Sequence, residues 1–271
     1  MPPPVTVTYS TWPTAEQVAE AAAQLFTDFA THAISTRGIA RIAISGGKTP
    51  EAMFALLADP AQPLVNEIDW QKLQIFWVDE RCVPPTDAES NFRMTNQALL
   101  SKVALPPANI FRMEGELDPE EAANRYESTL RNAMKLEGAE SPAFDLLLLG
   151  MGDDGHTASL FPHTAALHEL GRIVVANRVP QKDTWRITLT WPVINQAREV
   201  AFLIEGDAKA AVLADVLTGP YDPERLPAQL IRPSNGKLRF LLDDAAAARL
   251  PAPSNTLTAH GGSHRVGTLE L

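Results

Sequence analysis

The chain has 271 residues, 45% of them hydrophobic, which suits one large or two small packed cores and excludes a largely disordered polypeptide. A formal net charge of −10 argues against nucleic acid or an anionic membrane as partner, since both are polyanions, while leaving room for a small anion held by local donors. No apolar run reaches the ~18 residues of a membrane span, Met1-Pro2-Pro3-Pro4 lacks the basic-then-apolar start of a secretory signal, and the lone Cys82 allows no internal disulfide, so the cytoplasm is the expected compartment.

Thr14-Ala15-Glu16-Gln17 reads as a capping box that opens an alanine-rich amphipathic helix to about His32. A short apolar run, Ile39 to Ile44, follows and ends in Ser45-Gly46-Gly47. Leu73 to Val78 is rich in β-branched and aromatic residues, and Phe144 to Leu149 is almost wholly apolar. Further strands are expected at Ile173–Ala176, Arg186–Thr190, Val200–Ile204 and Leu238–Leu242, with helices over Glu89–Lys102, Pro119–Leu136 and Asp207–Leu217. Strands alternating with helices predict an α/β fold: a Rossmann-like, mainly parallel sheet flanked by helices on both faces. Residues 1–250 are expected to form one domain. The proline-rich span Thr218–Ser234 reads as a surface excursion. The segment from Pro251 to Leu271 has little apolar periodicity and is expected to be a flexible or appended tail.

In parallel sheets, sites form at the carboxyl ends of strands, so polar segments directly after strands are where chemistry is sought. Three qualify. Ser45-Gly46-Gly47-Lys48-Thr49-Pro50 would put a tight turn, two hydroxyls and a helix N-terminus where a phosphate can bind, or would be an ordinary strand-to-helix turn. It is not a nucleotide P-loop, because Ile42 stands where that motif needs glycine. Asp79-Glu80-Arg81 places three charges at a strand exit. Asp79 suits a sugar hydroxyl and Arg81 an anion, the bland reading being a surface ion pair; Cys82 beside them is a weak nucleophile candidate.

Gly150-Met151-Gly152-Asp153-Asp154-Gly155-His156 carries the strongest signal. An acid two places before a histidine can orient the ring, and a histidine can both take and give protons near neutral pH. A capping Asp with a structural His is the bland alternative. Asp153, Asp154 and His156 are also metal-compatible, but no further ligands complete a set. The i, i+4 pair His260 and His264 has Gly261 and Gly262 between its members, which disfavours a helix. Gly-x-Ser-x-Gly occurs nowhere, so a hydrolase here would use water rather than serine as nucleophile.

Taken together, Ser-Gly-Gly-x-Thr-Pro, Val-Asp-Glu-Arg-x-Val-Pro and Gly-Met-Gly-x-Asp-Gly-His-Thr-Ala-Ser-Leu-Phe-Pro resemble the 6-phosphogluconolactonases of the glucosamine-6-phosphate isomerase/6-phosphogluconolactonase family. The resemblance runs from Ile42 to about Leu242 and includes Ser90-Asn91-Phe92-Arg93 and Lys209. Thr157-Ala158-Ser159-Leu160-Phe161-Pro162 resembles the lactonase branch rather than the deaminases, while Lys48 departs from the small hydroxyl residue more usual there. The resemblance implies hydrolysis of 6-phospho-D-glucono-1,5-lactone in the oxidative pentose phosphate pathway, with neither metal nor organic cofactor. It implies His156, Asp154, Arg81 and Asp79 as catalytic residues. Ser45, Gly46, Gly47, Lys48, Thr49, Asn91, Gly152, Arg186 and Lys209 are the expected substrate- and phosphate-binding residues. The expected assembly is a monomer or homodimer; the rival activity is that of a glucosamine-6-phosphate deaminase.

Overall fold

The computed structural model describes residues 5–252, 255–259 and 262–271; Met1–Pro4 and His260 lie outside the described residues. In chain order the elements are β1 (Thr6–Trp12), α1 (Ala15–Arg37), β2 (Ala40–Ile44), α2 (Lys48–Leu57), α3 (Leu64–Glu67), β3 (Leu73–Trp77), β4 (Asp79–Arg81), α4 (Asn91–Thr95), β5 (Ile110–Phe111) and α5 (Pro119–Met134). They continue with β6 (Leu146–Leu149), β7 (Val174–Val179), β8 (Thr184–Leu189), α6 (Trp191–Ile194), β9 (Glu199–Ile204), α7 (Ala210–Thr218), β10 (Lys237–Asp243), β11 (Asn255–Ala259) and β12 (Gly262–Glu270).

The main sheet has the order β11-β12-β1-β10-β9-β6-β2-β3-β5. From β1 to β5 every neighbouring pair is parallel. All residues of β6 and β9 are buried, so both faces of the sheet centre are covered. The chain leaves β2 towards β3 on one side and returns to β6 on the other, which makes the β2–β6 boundary a topological switch point.

Local sequence explains where helices start and stop. Thr14 caps α1 by accepting from the Gln17 N–H at 3.3 Å. The helix runs past His32 to Arg37, where Gly38 ends it with φ 79°, a left-handed conformation that glycine adopts without cost. The expected helix from Glu89 begins instead at Asn91, because Ser90 caps it, and widens into a π-turn over Asn96–Leu100.

Two segments depart from the expected architecture, the first of them beside the site. The expected strands at Ile173–Ala176 and Arg186–Thr190 do not enter the parallel sheet. They are β7 and β8, an antiparallel hairpin that pairs with β4 to form a separate three-stranded sheet of order β4-β8-β7. The segment after Pro251, expected as a tail, supplies β11 and β12, and β12 pairs antiparallel with β1. Gly267 lies opposite Tyr9, and a Cβ there would meet the Tyr9 ring at 2.2 Å, so glycine is what lets the ring lie across the strand.

Candidate active site

Four parallel strands, β2, β3, β6 and β9, release their polar loops at one edge of the sheet, around a cavity of about 500 Å³. That volume suits a ligand the size of a sugar phosphate. All but two of the expected site residues line the cavity; the exceptions are Asp154, which contacts His156 from behind, and Arg186.

The first wall follows β2. Ser45 and Thr49 are buried, Lys48 is exposed, and Gly47, with φ 129°, opens α2 without a side-chain cap. The first N–H groups of α2 are therefore left for a ligand. The Ser45 hydroxyl donates to the Leu148 carbonyl at 3.1 Å, pinning β2 to β6 across the switch point, so its proton is used inside the fold. Gly46 has a packing reason to lack a side chain: a Cβ would lie 1.9 Å from Asn91 Oδ1.

The second wall is the Asp79 corner. Asp79 is 7% exposed; its Oδ2 accepts from Ser159 Oγ at 2.7 Å, and Asn91 Nδ2 donates to its backbone carbonyl at 2.9 Å. Glu80 faces away from the cavity. Its carboxylate accepts from the backbone N–H groups of Arg81, Asn91 and Phe92, each at 2.8 Å, and from Ser90 Oγ at 3.1 Å. It thus ties the strand exit to the N-terminus of α4. Burial raises the Glu80 carboxyl above its ordinary range despite these donors. Arg81 reaches the cavity and donates through Nη1 to the Glu89 carbonyl. Arg186 sits opposite Arg81 on β8, outside the cavity lining, and donates to Thr184 Oγ1 at 2.9 Å. Burial first, and the neighbouring Arg81 charge second, lower its proton affinity. Arg186 is thus held on β8 beside the cavity-lining Arg81, and a phosphate contact from it would require its side chain to leave Thr184.

The third wall is the histidine loop after β6. Asp154 Oδ1 meets His156 Nδ1 at 2.5 Å and also accepts the His156 backbone N–H at 3.1 Å. The other ring nitrogen, Nε2, makes no hydrogen bond among the described residues, and the ring lines the cavity. Phe161 stacks on the imidazole with centroids 4.0 Å apart. A Cβ on Gly152 would lie 2.1 Å from His156 Nδ1, so glycine makes room for the pair. Burial acts to raise the Asp154 carboxyl, but the hydrogen bond and charge of His156 outweigh it and hold the group down at about 2.

The fourth wall follows β9. Gly206, with φ 89°, donates its N–H to both carboxylate oxygens of Asp243 at 2.9 and 3.0 Å. This fixes the turn from which Lys209 enters the cavity, its Nζ 3.9 Å from Asp153 Oδ1. Cys82 fails as a nucleophile: burial pushes its thiol up to about 11, more than the Arg186 charge restores. No group of three or more metal-compatible side chains occurs among the described residues.

This arrangement has counterparts of known kind. The sequence profile of the glucosamine-6-phosphate isomerases/6-phosphogluconolactonase family matches residues 13–240. The chain belongs to this family. Within the isomerase/lactonase family it is 44% identical to a 6-phosphogluconolactonase of Synechocystis over 222 residues, 81% of this chain and 88% of that one. A 6-phosphogluconolactonase of Haemophilus influenzae is 34% identical, covering 89% of this chain and 99% of its own. The solved 6-phosphogluconolactonase of Trypanosoma cruzi superposes with a TM-score of 0.78 at 30% identity, covering 89% of this chain and 96% of that chain. The family profile ends before β11 and β12, which lie beyond the matched region.

Sequence reasoning passed over the residues behind the cavity, including Ser159, Asn177 and Thr188 as well as the role of Glu80. Each is polar and buried. Ser159 stands inside the Thr157–Pro162 motif and Glu80 inside the Asp79–Arg81 run, while Asn177 and Thr188 offer only the unexplained polarity of a strand residue.

Proposed function

We propose that the chain hydrolyses 6-phospho-D-glucono-1,5-lactone to 6-phospho-D-gluconate with water activated by His156. The observation that carries this reading is the Asp154–His156 pair at a cavity that is also lined by the uncapped N-terminus of α2, Lys48 and Lys209. Phosphate binds at the α2 N-terminus, through Gly46, Gly47 and Thr49, with Lys209 as counter-charge. Asp79 and Asn91 hold sugar hydroxyls.

Asp154 fixes Nδ1, leaving Nε2 of His156 as the base. Nε2 takes a proton from water as its oxygen bonds to C1 of the lactone, and Arg81 stabilises the negative charge on the carbonyl oxygen. When the tetrahedral intermediate collapses, the bond from C1 to the ring oxygen breaks. The imidazolium returns the proton to that oxygen, opening the ring. The reading calls for no metal or organic cofactor and places a monomer or homodimer in the cytoplasm.

The test is a coupled assay with lactone generated in situ, because spontaneous hydrolysis sets the background. His156→Ala should lower kcat by roughly 10² to 10⁴, the usual worth of a general base. Near-full activity in this variant would remove His156 from the mechanism, and ammonia release from glucosamine-6-phosphate by the native chain would move it to the deaminase branch.

A further inference from the structure

Behind the cavity lies a buried polar chain that the reaction as described does not use. Ser159, 1% exposed, donates from Oγ to Asp79 Oδ2 at 2.7 Å. Its backbone is held from two sides. Asn177 Nδ2 on β7 donates to the Ser159 carbonyl at 2.9 Å, and the Ser159 N–H donates to Thr188 Oγ1 on β8 at 3.3 Å. Asn177 Nδ2 also reaches Thr164 Oγ1 at 3.0 Å. Thr188 is the residue paired directly with Asp79 across β4 and β8. The preceding residue, Ala158, lines the cavity in the left-handed region at φ 49°, a conformation costly for a residue with a Cβ. The backbone thus bends against its preference at the point that aims Ser159 at Asp79.

The three-stranded sheet has one consistent purpose in this arrangement: β4 carries the carboxylate, and β8 and β7 carry the groups that clamp its hydroxyl partner. A carboxylate free to rotate could offer either oxygen to a ligand. Here Oδ2 is engaged by Ser159, while Oδ1 of this cavity-lining residue lies 3.5 Å from Asn91 Nδ2, too long for a strong bond.

We propose that Ser159 is a positioning residue for the lactonase site: by occupying Asp79 Oδ2 from a clamped backbone, it fixes Oδ1 as the acceptor of one substrate hydroxyl and so determines recognition of a hydroxylated lactone ring. This rests on the proposed lactonase reading and deepens it. Ser159 touches no substrate; it acts through Asp79.

The experiment pairs enzyme variants with lactones that lack single hydroxyls, generated in situ as 6-phosphates. Native enzyme should prefer the parent lactone over one monodeoxy lactone by roughly 10-fold or more in kcat/KM, the worth of a hydrogen bond to a charged group. Asp79→Ala should abolish that preference. Ser159→Ala should reduce it to about 3-fold or less while raising KM for the parent and leaving the preference for the other hydroxyls unchanged, a coupling that general loosening of the fold would not produce. Asn177→Asp, which alters the clamp without touching Asp79, should shift the same discrimination in the same direction. If Ser159→Ala retains the native discrimination where Asp79→Ala loses it, the inference is overturned and the role of Asp79 survives. If neither variant changes discrimination but lactone hydrolysis persists, Asp79 does not bind a hydroxyl and the inference falls with that assignment. Absence of lactone hydrolysis in the native chain fails the underlying reading instead.

Discussion

The Asp154–His156 pair sets what pH can do at single residues. The Asp154 carboxyl titrates at about 2 in the folded chain against 3.8 for a free aspartate. Because the folded value is depressed, the stabilisation it brings is fully present above the free value and is lost as pH falls towards the folded one. A carboxyl-carbon titration followed by NMR should therefore give Asp154 a midpoint near 2; a midpoint at the ordinary 3.8 would show that the pair does not form in solution. Activity lost on mild acidification is then not due to Asp154. On the proposed reading Lys209, by contrast, contributes phosphate binding at a distance from the reacting carbon. Lys209→Ala should raise KM for the phosphorylated lactone about 5- to 100-fold with a smaller change in kcat, the signature of uniform binding. An unchanged KM would separate Lys209 from the phosphate.

Among the elements, α5 and β3 depend on one side chain. Tyr126 Oη donates to the Trp77 carbonyl at 2.9 Å and accepts the Trp77 N–H at 2.8 Å. It completes the end of β3 where the neighbouring β5, only two residues long, has run out. Tyr126→Phe keeps the ring but strands two buried backbone groups, and should destabilise by about 1–3 kcal/mol in urea unfolding. A change below about 0.5 kcal/mol, the scatter of ordinary surface substitutions, would mean that water replaces the hydroxyl. Elements of this kind also mark how far sequence could be read. Ser45–Pro50, Asp79–Arg81 and Gly150–His156 were legible because each is a polar break after an apolar run, and strand ends are where parallel sheets place sites. The β7–β8 hairpin was read as two strands, yet nothing in a short apolar run says whether it joins a parallel or antiparallel sheet. The place of Arg186 beside Arg81, across the β4–β8 pairing, could not be read for that reason. Ser159 escaped because its partner Asp79 is 80 positions away, beyond any local pattern.

For the whole molecule, the C-terminal segment decides what β1 becomes. With β12 present, β1 lies between two strands; without it, β1 is an edge with free backbone donors and acceptors. The segment was missed because β12 alternates weakly: Gly267 is its one buried residue among those whose side chains are described. Deleting 253–271 should lower the melting temperature by at least roughly 2–4 °C, the shift per kcal/mol for a chain of this size. It should also promote self-association on size-exclusion chromatography, while the folded fraction keeps its kcat. An unchanged melting temperature would show that β11 and β12 do not stabilise the sheet.

The Asp243 carboxylate that holds Gly206 stands at the end of β10, and β10 is also the parallel partner of β1, the first strand to be made. The wall carrying Lys209 therefore takes its shape only once almost the whole chain is available. A polypeptide still being synthesised, with β2, β3, β6 and β9 already outside the ribosome, would have its histidine loop and the α2 N-terminus but an unfixed turn before Lys209. Because a chain ending before Asp243 also lacks the complete β10, which joins β1 to β9, turnover should begin at release rather than during elongation, and such stalled chains should stay silent in the coupled assay.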